Sequence, residues 1–469
     1  MRIKEEIKSS GYFWLPSSSE KKLPGTLTIS DGGKIELEVV GLFDKTVQRL
    51  NSAIEEKDEL EKTFGQGIFE RIVGQIEKHG LVTLDGCFYK HWHPFSSGIS
   101  KSLLHVSKAL LDIAYVDREP LVFNALQFSV EGIDEWVGIS GINVDRQIEE
   151  QTAIITYSPL DEISLNLNND MKLLIIFSWT LPGFPIITEA KITQKACFKL
   201  VSQQERPLDD FISIAQKLTT FLCFAVDKTV CINQVTATLN TGGSESSAPI
   251  PLYYESLPYT KEVPKIDRYH MLFRYPTIKA KAEQILNNWL KAYDKIEPAL
   301  NLYFGVTTGG LRYLDAKVLA LAQGLETYHR RTSDETRIDN SDFEKLRETL
   351  ITQCPEEHKD WLSERLNYGN ELSLRQRIKR IIEPFNEFIG DENQRDKLTG
   401  SIVDTRNYLT HYDESSKSRA ASGDKLIHLY LKMEAIFQLC ILQELGFTRT
   451  EIKSVLDKSY RLRKKLEKG

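Results

Sequence analysis

The sequence predicts an α+β multidomain chain, with a β-rich N-terminal domain of antiparallel sheets over residues 1–265 and an all-α helical bundle over residues 266–469. Three observations predict it. Residues 11–240 carry short alternating or β-branched runs separated by Gly, Asn, Asp and Pro. From about residue 277 the apolar spacing becomes helical and stays so. Between them TGGSESSAPIPLYYESLPYTKEVPK, residues 241–265, concentrates the Gly, Ser and Pro of a linker, which favour turns and extended chain over helix or sheet interior. At 469 residues with 41% hydrophobic content, the chain is long enough to bury at least two cores.

The strand candidates, in order, are GTLTIS, KIELEVVGL, GLVTLDGCF, LVFNALQFSV, TAIITY, KLLIIFSW and AKITQKACFKLV. A helix over 207–225 interrupts them, with Leu208, Phe211, Ile212, Ala215, Leu218 and Leu222 on one stripe. The charged segment from Phe43 to Glu61 reads as helix or loop. Helices then follow over 277–295, 311–331, 341–352, 355–367, 373–389, 392–412, 424–445 and 449–467. Capping boxes open two of them, Ser341 with Glu344 and Thr448 with Glu451. No internal repeat or low-complexity tract is present.

The net charge of -6 conceals an asymmetry. Residues 1–270 carry 27 Lys+Arg against 36 Asp+Glu, a balance of -9; the remaining 33 against 30 gives residues 271–469 a balance of +3. The positive charge clusters as Arg375, Arg377, Lys379 and Arg380 in RQRIKR, and as Arg461, Arg463, Lys464, Lys465 and Lys468 in RLRKKLEK. Such clusters attract a polyanion such as RNA or form a solvated helix face. Six cysteines are scattered without a C-x-x-C pair, so reduced, mostly buried thiols are expected rather than a disulfide framework or zinc knuckle. No apolar run approaches the roughly 20 residues of a bilayer span, and the start lacks the apolar stretch of a signal peptide. The expectation is a cytoplasmic protein with no membrane partner.

The decapeptide DTRNYLTHYD, residues 404–413, carries the chemistry. On a helix over 392–412, Leu398, Ile402, Thr405 and Leu409 form the packing stripe, and Asp404, Asn407 and His411 fall together on roughly the opposite side, with Arg406 between the faces. This is either a helix end or a site for a phosphate and a proton. Cleaving RNA by its own 2′-hydroxyl needs a base, a proton donor and a cation for the phosphorus oxygens; His and Arg supply these without a metal. With one such His per chain, a base and an acid both made of His require two copies facing each other. An Arg separated from a His by four to six residues is a weak motif by itself, expected about once by chance in such a chain. Arg406 is nevertheless the only Arg so placed before any of the nine His. A separate patch, His91 and His93 in KHWHP with His105 following, raises a metal site; no third ligand with recognisable spacing completes it, and an aromatic strand edge is the simpler reading.

R-N-Y-L-T-H, residues 406–411, in a C-terminal helical domain resembles the signature of the HEPN ribonucleases. The wider chain resembles their ApeA-like branch, bacterial anti-phage proteins with a β-rich domain ahead of a HEPN domain. GYFWLP with PGTLTI and IELEVVGLF, the LVTLDGC run, LQFSVEGIDEWVGISG and LALAQGLETYHRR carry that likeness. The resemblance implies a metal-independent, cofactor-free endoribonuclease directed at tRNA or other structured RNA and restrained until infection, with a phage-derived trigger at the N-terminal domain. It implies a homodimer or higher even oligomer through the HEPN domain. Position by position, Arg406 would bind phosphate, Asn407 would support it and His411 would move the proton, with Asp404 as a further polar group; Glu326 and His329 either add polar groups to the site or form a polar helix flank with one partly buried His. A non-catalytic HEPN module that binds nucleotide or a partner protein is the alternative, and the intact Arg-Asn-His set argues against it.

Overall fold

The computed structural model describes residues 1–43, 68–93, 100–184, 188–239 and 248–467. Most of the Phe43–Glu61 segment, and the start of the 241–265 stretch, therefore lie outside the described residues. The chain divides into two compact units, Met1–Glu283 and Gln284–Gly469.

The first unit is built on a 12-stranded antiparallel sheet. Strands β1 (Ile7–Trp14), β2 (Leu23–Ser30), β3 (Lys34–Val40), β4 (Ile68–Ile76), β5 (Gly80–His93) and β6 (Lys101–Leu111) run in the order β6-β3-β2-β1-β4-β5. Because β5 also pairs with β6, this part closes on itself as a six-stranded barrel, which leaves those strands no free edge. Alternation drives the closure: in β3, Ile35, Leu37 and Val39 point inward and are fully buried, beside Phe13, Leu27, Val82, Leu84 and Leu104.

The sheet continues through β7 (Val122–Val130), β10 (Ile163–Asn166), β11 (Met171–Thr180), β12 (Thr193–Pro207), β13 (Ile232–Thr238) and β14 (Ile250–Tyr254), in the order β14-β13-β7-β12-β11-β10. Helix α1 (Ile133–Val137) and helix α2 (Leu208–Val226) pack on it, and Trp136 of α1 is fully buried against the rings of Phe198, Phe221 and Tyr275. Strands β8 (Ile142–Gln147) and β9 (Thr152–Tyr157) form a separate hairpin. Strand β14 corrects the linker expectation. Within the Pro-rich stretch, IPLYY alternates, and Ile250, Leu252 and Tyr254 are buried between β13 and β6; burying three large side chains outweighs the turn preference of the flanking residues.

The second unit is helical: α3 (Ala282–Thr307), α4 (Leu314–Thr332), α5 (Asn340–Gln353), α6 (Lys359–Leu366), α7 (Leu374–Ile382), α8 (Glu392–His411), α9 (Asp424–Glu444), α10 (Arg449–Lys458) and α11 (Tyr460–Glu467). Four expectations shift. Helix α3 runs on to Thr307 through a kink at Ile296, two residues before Pro298. The 373–389 helix is interrupted by a 3-10 turn at Glu383–Phe385, where Pro384 supplies no amide. The 449–467 helix breaks at Ser459. The N-cap of α5 is Asp339, accepting from the Ser341 amide at 2.8 Å, so the Ser341/Glu344 box does not form; Thr448 and Glu451 do form theirs. Helix α9 is long and apolar enough to cross a membrane by length and composition, but its side chains from Met433 to Leu442 are all buried in the bundle. The six cysteines are free, five of them buried.

Candidate active site

Helix α8 carries the motif and is fixed at both ends. Asp391 and Gln394 form a reciprocal capping box at its start, at 2.8 and 2.9 Å. At its end Tyr412 turns into the left-handed region (φ 50°, ψ 35°) and its amide closes on the Tyr408 carbonyl at 2.6 Å. That conformation costs a non-glycine residue about 1 kcal/mol, and it stops the helix directly after His411. Asp413 then caps the next turn through the Ser415 amide at 3.1 Å.

Leu398, Thr399, Ile402, Thr405 and Leu409 are the buried residues of α8, the stripe that periodicity selects, and the helix packs on α4, α7 and α9. The buried Thr405 hydroxyl accepts from the Ala421 amide at 2.9 Å, which ties the following loop to the helix. The opposite side stays open: Asn407 and His411 are exposed, Asp404 and Arg406 half-buried. Arg406 Nη1 donates to Asn407 Oδ1 at 3.2 Å, so the guanidinium and the amide are held together. Asn407 and His411 are four residues apart, hence about 40° apart in projection and about 6 Å along the axis. Arg406 lies about 140° in projection and about 7.5 Å along the axis from His411, and it reaches toward the open side through its bond to Asn407, so this part of the helix offers a guanidinium at the edge of that side and an accessible imidazole on it. The Asp413 carboxyl sits below its usual range, chiefly because the Ser415 hydroxyl and amide hydrogen-bond to it, with Arg419 and His411 adding favourable charge.

Helix α4 packs on the motif helix but does not present His329 to that face. His329 is 4% exposed, and its Nδ1 lies 3.2 Å from Nη1 of Arg377, which is equally buried. A guanidinium only donates, so Nδ1 accepts and the imidazole is neutral with its proton on Nε2. Arg377 also donates to the Leu372 carbonyl at 3.0 Å and to Glu371 at 3.5 Å, and Glu371 takes Arg330, which reaches Glu326 at 3.2 Å. Glu326, Arg330, Glu371, Arg377 and His329 are therefore one ion-pair and hydrogen-bond network within the bundle. Burial, then the Arg377 charge, holds the His329 pKa below the ordinary histidine value.

A depressed histidine pKa gives stability that is complete above the unfolded value and lost as pH falls toward the folded one. Melting temperature is accordingly expected to drop as pH is lowered below ~6.5. His329→Asn, which keeps an acceptor for Arg377 but cannot titrate, is expected to melt with a shallower acid slope; equal slopes in wild type and variant would remove His329 from this role.

The basic clusters divide. Arg377 is corrected from a polyanion-facing residue to a buried one: four residues before Ile381 and adjacent to Ile378, it falls on the apolar stripe of α7. Lys465 is also largely buried, at 2.6 Å from Glu434 and 3.1 Å from Gln438. Lys379 pairs with Asp396 at 2.8 Å, Arg380 with Glu335 at 2.7 Å, and Arg463 lies 3.7 Å from Glu467, while Arg375 and Lys464 are exposed, the latter over the Tyr460 ring. Much of this charge is already matched within the bundle.

In the β domain, His105 lies opposite Phe88, while His91 lies opposite Leu103, past a register shift between Tyr89 and His91. The His105 ring packs on Phe88 at 4.8 Å. His91 is exposed, the His93 side chain is outside the described residues, and among the described residues no three His, Cys, Asp or Glu cluster as metal ligands do. Sequence reasoning passed over the Tyr408 and Tyr412 pair, whose rings meet edge to face at 5.5 Å beside His411, with Tyr412 61% exposed. Their i, i+4 spacing in RNYLTHY was the available signal.

Comparison with known proteins agrees with this layout. A family model described as ApeA N-terminal domain 1 matches residues 8–289, and one described as Apea-like HEPN matches residues 319–451, which includes the whole motif helix. No curated protein matches, and no solved structure does. HEPN domains are generally ribonuclease domains, and a HEPN domain in an ApeA-like protein points to the nuclease families of anti-phage defence. The chain belongs to the ApeA family, an ApeA N-terminal domain followed by an ApeA-like HEPN domain.

Proposed function

We propose that this protein is a metal-independent endoribonuclease of anti-phage defence that cuts tRNA or other structured RNA by attack of the 2′-hydroxyl, and that it is held inactive until infection by its N-terminal domain, where a phage-derived trigger acts. The observation that carries the reading is the open face of α8, where Arg406 and Asn407 are hydrogen-bonded and His411 is exposed one turn away on a helix anchored by its other side. In this scheme Arg406 forms charge-assisted bonds to the scissile phosphate and stabilises the charge that builds on its oxygens. His411 transfers the proton as general acid or base. Asn407 orients the guanidinium, and the exposed Tyr412 ring offers a face on which an unstacked base can lie. Asp404, half-buried on the same side two turns before His411, adds negative charge to that side of the helix.

One His cannot be base and acid in the same concerted step, so the active species is a homodimer, or a higher even assembly, that apposes two copies of the motif through the HEPN domain. Light scattering is expected to give an even multiple of 53.7 kDa. Cleavage is expected to fall faster than linearly on dilution below the dissociation constant. A monomer with full specific activity would refute the shared site. The reading as a whole is tested by incubating total RNA with the protein in excess EDTA, where cutting is expected to persist. Complete loss, restored by one divalent metal, would sink it.

A further inference from the structure

Among the described residues, the hairpin β8–β9 stands apart from every other strand in the first unit. It forms a two-stranded sheet of its own, with Val144 opposite Ile155 and Asp145 opposite Ile154. Only Ile142 and Tyr157, at its base, are even half-buried, while Ile154 and Ile155 are about half exposed (51% and 50%). The base is well held: Gln194 accepts from the Gly141 amide at 2.8 Å and donates to the Ile139 carbonyl at 2.9 Å, and the Tyr157 ring lies 5.4 Å from that of Trp179. Above that anchor no other described strand pairs with the hairpin.

Two strands without a covered face are marginal in water. An exposed edge is ordinarily blunted by charge, proline or a bulge, because its outward amides and carbonyls are a template for another strand. Strand β8 carries such protection in Asp145 and Arg146, whereas β9, Thr-Ala-Ile-Ile-Thr-Tyr, has no charge, no proline and no bulge. Among the described residues nothing pairs with its outer edge.

The β9 sequence is also complementary to itself. An antiparallel pairing with a two-fold axis at Ile154 sets Thr152 against Thr156 of the partner subunit, Ala153 against Ile155 of the partner subunit, and Ile154 against Ile154 of the partner subunit. These are hydroxyl on hydroxyl, small on large and apolar on apolar, combinations that each favour a cross-strand pair. The same operation about Asp145 of β8 sets Asp145 against Asp145 of the partner subunit, a like-charge pair. We propose that the β9 edge is a self-association surface, at which two copies of this chain pair antiparallel about Ile154 to make a continuous four-stranded sheet. The surface lies within the first unit and does not rest on the nuclease reading.

The experiment is sedimentation velocity on the full-length chain, alone and mixed. Ile154→Lys and Ile154→Glu each place like charges together at the two-fold axis, and at a half-exposed site neither removes a core contact. Because the HEPN pairing proposed above holds two chains by itself, each variant is expected to fall from tetramer to dimer, or from dimer to monomer where that pairing fails, and their equimolar mixture to regain the wild-type mass. Masses equal to wild type in the single variants, or halved masses that the mixture does not restore, overturn the proposal. Ile154→Cys gives a second measurement that does not need a disruptive variant. The Cα atoms of directly opposed residues lie about 4.5–5.5 Å apart, within disulfide reach, so oxidation is expected to yield a covalent dimer absent from oxidised wild type. No such band from the folded variant counts against the pairing.

Discussion

His411→Ala and Arg406→Ala are each expected to abolish RNA cleavage and the toxicity that follows from it, with the fold unchanged. Loss of the proton-transfer group alone should cost at least ~100-fold in rate. Both side chains lie off the stripe of Leu398, Ile402 and Leu409, so truncation opens no core cavity, and the stability change should stay within ~0.5 kcal/mol. Arg406→Lys is the finer probe. It keeps the charge but loses the planar fork that reaches a phosphate with one arm and Asn407 with another, so impaired cutting at unchanged melting temperature is expected. If the alanine variants melt many degrees lower, residues 404–413 are a structural helix end; if they melt and cut like wild type, the active site is elsewhere.

A single 2′-deoxy substitution at the cut site is expected to block cleavage there, by a factor comparable to removal of His411. The 2′-oxygen is the nucleophile in the proposed step: its attack on phosphorus forms the cyclic diester while the bond to the 5′-oxygen breaks and that oxygen takes a proton. In that proposed step Arg406 and His411 only stabilise charge and move protons, and neither could replace a missing nucleophile. Normal cutting of the deoxy substrate would mean that water attacks, and the role assigned to His411 would fail.

Helical periodicity made the candidate site legible before any coordinates. Leu398, Ile402, Thr405 and Leu409 recur at intervals of three and four, which placed the packing face of α8, and Asn407 and His411 lie on the exposed side. The same rule, applied to α7, would have flagged Arg377: it shares a stripe with Ile378 and Ile381, and its burial follows from position where its residue type suggested a solvated face. Other features were not legible, for physical reasons. Closure of the barrel through β5 and β6 and the placement of β14 beside β6 depend on non-local pairing, to which local alternation is blind. A Pro- and Ser-rich flank hid a five-residue strand because turn preference and burial compete there, and burial wins at Ile250, Leu252 and Tyr254. The hairpin β8–β9 was legible as strand from TAIITY, but not as one lacking a covered face, since exposure is set by what the fold leaves beside it.

The central claim is that the Arg406 and His411 face cuts RNA by internal transesterification. The measurement that tests it most directly is end-group analysis of RNA cut by the purified wild-type protein in excess EDTA, with His411→Ala protein in parallel. The account predicts 2′,3′-cyclic phosphate and 5′-hydroxyl ends with wild type and no new ends with the variant. Fragments ending in 3′-hydroxyl and 5′-phosphate, or cyclic phosphate ends that persist undiminished with His411→Ala, would contradict it.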